Sequence, residues 1–459
     1  MAEPQKKVPR RWFKWLGDEV ADWKSAGIID DNQAGAILSR YEESAHGEEP
    51  DRGGRLIATI AVLGSLLLGI GVIIFFASNW QVLPKWFKVA LIISSIIAAY
   101  ATGYWLAFER KTYPRVGQAL ILLGAILYGS GIWLIAQIFH INAHYPNGIL
   151  FWSLGIIPVA VAAGSIPILV GSSLLLTLWT IFEQGQFGST NLIYLPLSAV
   201  VLALSYRLKS RTAAGFSLLG LVIWVAIATG VSFRGEEAIL YIFLLTAISG
   251  LLIFALGRLQ VSWSRLPMMK TPYRIVGLLV FFLSLYLLTF SGLMRVFRYN
   301  SSAADSVFFM VAFGIITAFA VMSGGLILTK AKNDLREQKG LSVEAALVLT
   351  VAVVLVILAL LGPAAGRTTL LLTTNILLFF AIVTVIISGY LGREAALINI
   401  GLVFFVLDII ARYFDFFWDM LDKSLFFMGG GLLLLAGGFL LERNRRKIIS
   451  EMKVKIYEA

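Results

Sequence analysis

The stretch LIATIAVLGSLLLGIGVIIFFAS, residues 56–78, decides the fold. It runs for 23 residues without a charged side chain. As a helix it reaches about 34 Å, enough to cross roughly 30 Å of hydrocarbon. A helix is demanded because backbone N–H and C=O groups meet no water there and must be satisfied within the segment. Thirteen more apolar runs follow, at approximately 89–108, 116–139, 149–164, 166–182, 192–206, 213–231, 238–257, 275–294, 306–329, 343–361, 370–391, 395–411 and 425–441. The prediction is an all-α polytopic transmembrane helical bundle of about 14 spans. Only Ser165 separates 149–164 from 166–182, and Pro158 and Pro167 sit there. That pair reads as either a tight hairpin or a broken, re-entrant element.

Composition agrees. Of the 459 residues 58% are hydrophobic and 14% charged, whereas a soluble domain carries about a quarter charged residues. There is no cysteine, so disulfides and thiolate metal sites are excluded. The formal charge is +11. Its distribution speaks for a membrane partner and against nucleic acid: with the N-terminus inside, 30 of the 38 Lys and Arg fall in cytoplasmic segments and 8 outside, the bias that orients membrane proteins. An even span count places both termini in the cytoplasm. No cleavable signal segment precedes the first span.

Three regions follow: a cytoplasmic helical hairpin over 1–55, the transmembrane domain over 56–441, and a basic tail over 442–459. In the hairpin, Trp12, Trp15, Leu16, Val20 and Trp23 recur at helical spacing. Gly27 suits a helix stop, and Asp30 with Gln33 reads as a capping box opening a second helix. The Trp-rich face packs on its partner helix, lies on the membrane surface, or meets a cytoplasmic protein partner.

The first and third spans share a pattern sixty residues apart. Gly64, Gly69 and Gly71 in LGSLLLGIG (63–71) match Gly124, Gly129 and Gly131 in LGAILYGSG (123–131). Either the spans are a repeated hairpin, or glycine-rich packing faces simply look alike.

Polar groups within lipid are costly and turn toward a bundle interior or an aqueous cavity. The candidates cluster at the ends of the spans that run outward. The first span ends with Asn79 and Trp80, the third with Gln137, His140 and His144, the fifth with Glu183 and Gln184, and the ninth with Arg295 and Arg298. The thirteenth carries Asp408, Arg412, Asp415, Asp419 and Asp422 at spacings of 4, 3, 4 and 3, one stripe of a helix. That stripe reads as an acidic, partly neutralised cavity wall, or as the solvated face of an amphipathic extension. Glu183 is a cavity carboxylate or a loop-end charge. His140 and His144 have no third ligand at a usable spacing, so no metal and no cofactor is expected. They serve as interfacial hydrogen-bonding groups or as acid/base groups. No phosphate loop, dinucleotide fingerprint or nucleophile elbow occurs.

The stretches ASNW (77–80) and LIAQIFHI (134–141), with the Trp-containing hairpin ending at Tyr41, resemble the bacterial membrane proteins grouped as domain of unknown function 2157. ARYFDFFWDML (411–421) and LLERNRRK (440–447) resemble the C-terminal regions of such multi-pass proteins. The likeness covers roughly 12–165 and 395–447. It implies a bacterial cytoplasmic (inner) membrane protein and carries no catalytic residue over. Three functions stay open: a transporter or flippase-like protein for a small or amphiphilic envelope substrate, held by Asp408, Arg412, Asp415, His140, Gln137, Asn79, Trp80 and Glu183; a membrane-embedded transferase for a lipid-linked substrate; and a scaffold or sensor acting through the hairpin.

Overall fold

Where apolar runs are long and free of charge, the chain is helical throughout the computed structural model, which describes residues 6–8, 10–43, 52–79, 84–141, 144–233, 238–263, 266–290, 292, 306–333, 338–417, 428–432, 435 and 437–439. Eleven helices among the described residues are long and apolar enough to cross a bilayer. Three more apolar helical stretches are shorter: 59–71, which lies inside the 28-residue helix Arg52–Asn79, 194–207 and 428–439. Each of the fourteen apolar runs overlaps a described helix, and eleven of those helices have the length and hydropathy of a span. The 194–207 helix, at 14 residues, spans only about 21 Å. The protein is a polytopic helical membrane protein, and the bilayer is its surroundings.

The chain forms two compact units, 1–131 and 132–459. The first opens with β1 (Lys6–Val8), α1 (Arg10–Ser25), α2 (Asp31–Ser39) and β2 (Tyr41–Glu43). The helical hairpin ends α1 at Gly27, whose φ of +72° closes a left-handed cap. It starts α2 with the capping box: Asp30 Oδ1 accepts from Gln33 N at 2.7 Å, and Gln33 Oε1 accepts from Asp30 N at 3.0 Å. Val20 and Ala34 are buried, while Trp15 is exposed. The two strands pair in parallel and tie the ends of the hairpin together; hydropathy gave no sign of them.

Next come α3 (Arg52–Asn79), α4 (Lys85–Tyr104), which continues as a π-helical turn to Glu109, and α5 (Pro114–Ile138), which runs through the unit boundary. Gly117 lets α5 approach α4 closely: a Cβ there would lie 2.5 Å from the backbone nitrogen of Ala107. The glycines of the apparent repeat do different work. Gly124 and Gly131 face Tyr100 and Ile92 of α4, whereas Gly64 and Gly71 face open space among the described residues. Gly69 of the first motif does pack on another helix, its Cβ position lying 3.3 Å from Ile126 of α5.

The second unit contains α6 (Pro146–Ala163), α7 (Ile166–Phe187), α8 (Tyr194–Arg207), α9 (Arg211–Ser232), α10 (Ile239–Trp263), α11 (Lys270–Leu288), α12 (Val307–Asn333), α13 (Gln338–Leu361), α14 (Arg367–Leu391) and α15 (Ala395–Phe417). The 149–182 region is a hairpin of two separate helices. Gly164, at φ +59°, turns the chain, and Ser153 meets Ser172 across it at 2.9 Å. Helix α10 is the most buried span. Leu244, Leu245, Ile248, Leu251 and Phe254 are wholly enclosed, as expected for a helix that is apolar all round. It crosses α11 at paired glycines: a Cβ on Gly277 would sit 2.4 Å from the nitrogen of Phe254, and one on Gly250 2.6 Å from that of Phe281.

Several helices stop on a residue in the left-handed conformation. After α5, His140 (φ +53°) is flanked by Ile141 N donating to Ala136 O at 2.9 Å and His140 N donating to Gln137 O at 3.4 Å. This six-to-one and five-to-two pair is the Schellman cap. The same pattern recurs at Lys209 after α8 and Arg393 after α14. Glycine is the usual residue there, because a Cβ costs about 1–2 kcal/mol in that conformation. The cations recover part of this cost by facing the negative end of the helix macrodipole.

Candidate functional site

One of the sequence-derived groups, Gln137 with His140 and His144, lines a groove. The end of α5 and the start of α6 enclose about 710 Å³, within the range of small-molecule sites. Trp133, Ala136 and Phe151 contribute apolar wall; Gln137, His140 and His144 contribute polar atoms. The Schellman cap sets this arrangement, since by ending α5 at His140 it turns the chain back into α6. Gln137 and His140 are exposed.

Glu183, near the end of α7, closes on this group from another helix. Its Oε2 lies 2.7 Å from His144 Nε2, with the two side chains 20% and 34% exposed. Phe187 stacks obliquely on the His144 ring, centroids 4.0 Å apart. Tyr145 donates to Gln186 Oε1. The imidazole is thus held by a carboxylate on one side and an aromatic ring on another. Asn79 ends α3, with its side chain outside the description, and Trp80, Arg295, Arg298, Asp419 and Asp422 lie outside the described residues.

Asp408, Arg412 and Asp415 form a second cluster, on α15. Arg412 Nε is 3.6 Å from Asp408 Oδ1, too long for a hydrogen bond. One terminal nitrogen donates to Asp415 Oδ2 at 3.3 Å. The other donates to Thr289, to its hydroxyl at 2.9 Å and its carbonyl at 3.2 Å. Tyr286 donates to the carbonyl of Leu407 at 3.3 Å. Arg412 is therefore bound to the end of α11 and offsets one of the two carboxylate charges beside it. The lining of the α5–α6 groove includes none of these three residues.

Among the described residues, the largest charge cluster in the second unit was not singled out from sequence. Glu344, 3% exposed, takes two bonds from Arg274, at 2.7 and 3.1 Å, and one from the Ser388 hydroxyl at 2.7 Å. Arg258 stands 3.7 Å away. Glu394 is approached by Arg274 Nε at 2.9 Å, Lys270 at 3.4 Å and Arg258 at 3.6 Å. Arg258 and Arg274 look like loop cations in a charge count, yet they are 9% and 2% exposed. Gly257 makes room, because a Cβ there would lie 2.8 Å from Arg274 Cγ. Three cations against two carboxylates leave one net positive charge. The sequence signal was Glu344, the lone ionisable residue inside 343–361; its partners lie far away along the chain.

These contacts also establish relative helix direction. The C-terminal ends of α10 and α14 and the N-terminal ends of α11, α13 and α15 meet in the Glu344–Glu394 cluster. The C-terminal ends of α11 and α15 meet at Thr289 and Arg412. Successive helices from α10 to α15 thus alternate in direction where these contacts tie them.

Residues 21–169 match a family model described as predicted membrane protein (domain of unknown function 2157). The match covers about a third of the chain and falls on the first of the two resembling stretches, without reaching 395–447. No curated protein and no solved structure matches the chain.

Proposed function

We propose that the protein binds an amphiphilic envelope molecule in the α5–α6 groove and carries it across the bilayer. The observation behind this reading is the groove itself: about 710 Å³, walled mainly by apolar side chains and ending on Gln137, His140 and the His144–Glu183 pair. An acyl or prenyl portion suits the walls, and a polar or anionic head suits the imidazoles. With most Lys and Arg at the other ends of the spans, the groove opens to the extracytoplasmic side and both termini face the cytoplasm of a bacterial inner membrane. Asp408, Arg412 and Asp415 supply a second polar station on the same side.

His140→Gly separates function from fold. Glycine relieves the left-handed strain, so thermal unfolding in detergent should show stability unchanged or raised by about 1 kcal/mol. Uptake of a fluorescent anionic amphiphile into proteoliposomes should fall at least tenfold. Wild-type uptake by a folded His140→Gly protein removes the groove from the reading. Asp408→Asn tests the second station. Arg412 keeps Asp415 and Thr289, so the fold should survive with a loss under about 1 kcal/mol, while transport is lost; retained transport confines the site to the groove.

The His144–Glu183 pair favours one further reading, a transferase acting on a lipid-linked donor, in which the carboxylate orients an imidazole general base. Turnover of such a donor by purified protein, abolished in Glu183→Gln, would replace the transporter reading.

A further inference from the structure

A second groove lies between the N-terminal turns of α9 and α11, at the opposite ends of the spans from Thr289 and Arg412. Its volume is about 320 Å³, the lower end of the small-molecule range. Gly215, Phe216 and Leu219 form one wall and Pro272, Ile275 and Val276 the other. The mouth carries Arg211, with the hydroxyls of Thr212 and Thr271. The apolar part runs along the helices, and the polar part is confined to their first turns.

One cation, Arg211, lines the groove, and two more precede it in the chain. The sequence RLKSR, 207–211, puts Arg207, Lys209 and Arg211 within five residues, and all three are exposed. Among the described residues none of them is paired with a carboxylate. The contrast with Arg258 and Arg274, each spent on Glu344 and Glu394, is direct. A groove that is apolar along its length and cationic at its mouth matches one occupant in charge and polarity: a membrane lipid with an acyl chain and an anionic phosphate. Juxtamembrane cations attract the phosphates of anionic lipids.

We infer that this groove is a binding site for an anionic phospholipid, with an acyl chain along Gly215 and Val276 and the phosphate on Arg211. The site is separate from the α5–α6 groove, so its test is independent of the transport reading. Gly215 supplies the means of closing it. A Cβ there would meet Pro272 Cβ and Val276 Cγ2 at 3.8 Å, ordinary contact. Gly215→Ala is therefore tolerated, while Gly215→Leu puts a branched side chain into the space.

The experiment is native mass spectrometry of the full chain in neutral detergent, titrated with phosphatidylglycerol, phosphatidylcholine, or glycerol phosphate alone. The expected result is retention of phosphatidylglycerol about tenfold above phosphatidylcholine. Arg211→Gln, a change at an exposed residue, should cut that preference about fivefold. Gly215→Leu should reduce retention of both lipids, and Gly215→Ala neither. Equal retention of the two lipids overturns the proposal, as does an unchanged preference in Arg211→Gln. Competition by glycerol phosphate as effective as that of the intact lipid also overturns it, because the apolar groove would then contribute nothing.

Discussion

Glu344→Gln is expected to destabilise the protein by roughly 3–5 kcal/mol, the usual result of breaking a buried ion pair from one side. The amide keeps the shape but removes the charge that holds Arg274 at 2.7 and 3.1 Å. Arg274 is only 2% exposed, so it has no water to turn to. Four cationic and anionic partners then stand at a net charge of +2. The readout is the denaturant dependence of folding in mixed micelles. Replacing both partners, as Arg274→Met with Glu344→Leu, returns the remaining Arg258, Lys270 and Glu394 to a net +1. The double variant should be more stable than the single one, since removing a buried pair whole is often neutral. A cost below about 1 kcal/mol for Glu344→Gln would mean that the carboxylate holds nothing together.

Gly277→Ala is expected to cost about 3 kcal/mol, the upper end for overpacking. The new methyl would fall 2.4 Å from the nitrogen of Phe254 and 2.7 Å from the carbonyl oxygen of Gly250. Both obstacles are backbone, which cannot rotate away, so α10 and α11 must separate. Arg274 lies one turn from Gly277 on the same helix and moves with it. The effects of Gly277→Ala and Glu344→Gln therefore overlap, and the double variant should lose less than their sum. Gly314→Ala is the control. Nothing described lies within 4 Å of its Cβ position, so helix propensity alone should leave stability equal or slightly raised. Equal effects at the two positions would show that the α10–α11 crossing does not need its glycines.

What was legible in the sequence was what neighbours along the chain determine. Hydropathy located the helices because a span must be apolar along a continuous stretch. Asp30 with Gln33, and Asp408 with Arg412, were readable because their partners sit three or four residues away. Gln137 and His140 were readable as a pair for the same reason. Glu183 stayed ambiguous between a loop end and a cavity, since its partner His144 is 39 residues earlier. Glu344 was invisible as a hub: Arg274 is 70 residues before it and Ser388 is 44 after, and nothing local names either. The glycines of α3 and α5 looked alike in sequence and differ in surroundings, because a glycine does not encode which helix approaches it. The pairing of Lys6–Val8 with Tyr41–Glu43 was hidden for a similar reason; three residues carry no period.

The charge cluster also imposes an order on biosynthesis. Ribosomes deliver Arg274 before Glu344, with 70 residues between them. At roughly 5–20 residues per second that interval is about 4–14 s. During it, two guanidinium groups that end up enclosed must wait among lipid headgroups without their counter-ions. Only the arrival of α13, and then of Glu394 beyond α14, lets them withdraw into the protein. The ion pairs of this part of the bundle are thus completed only by its late helices.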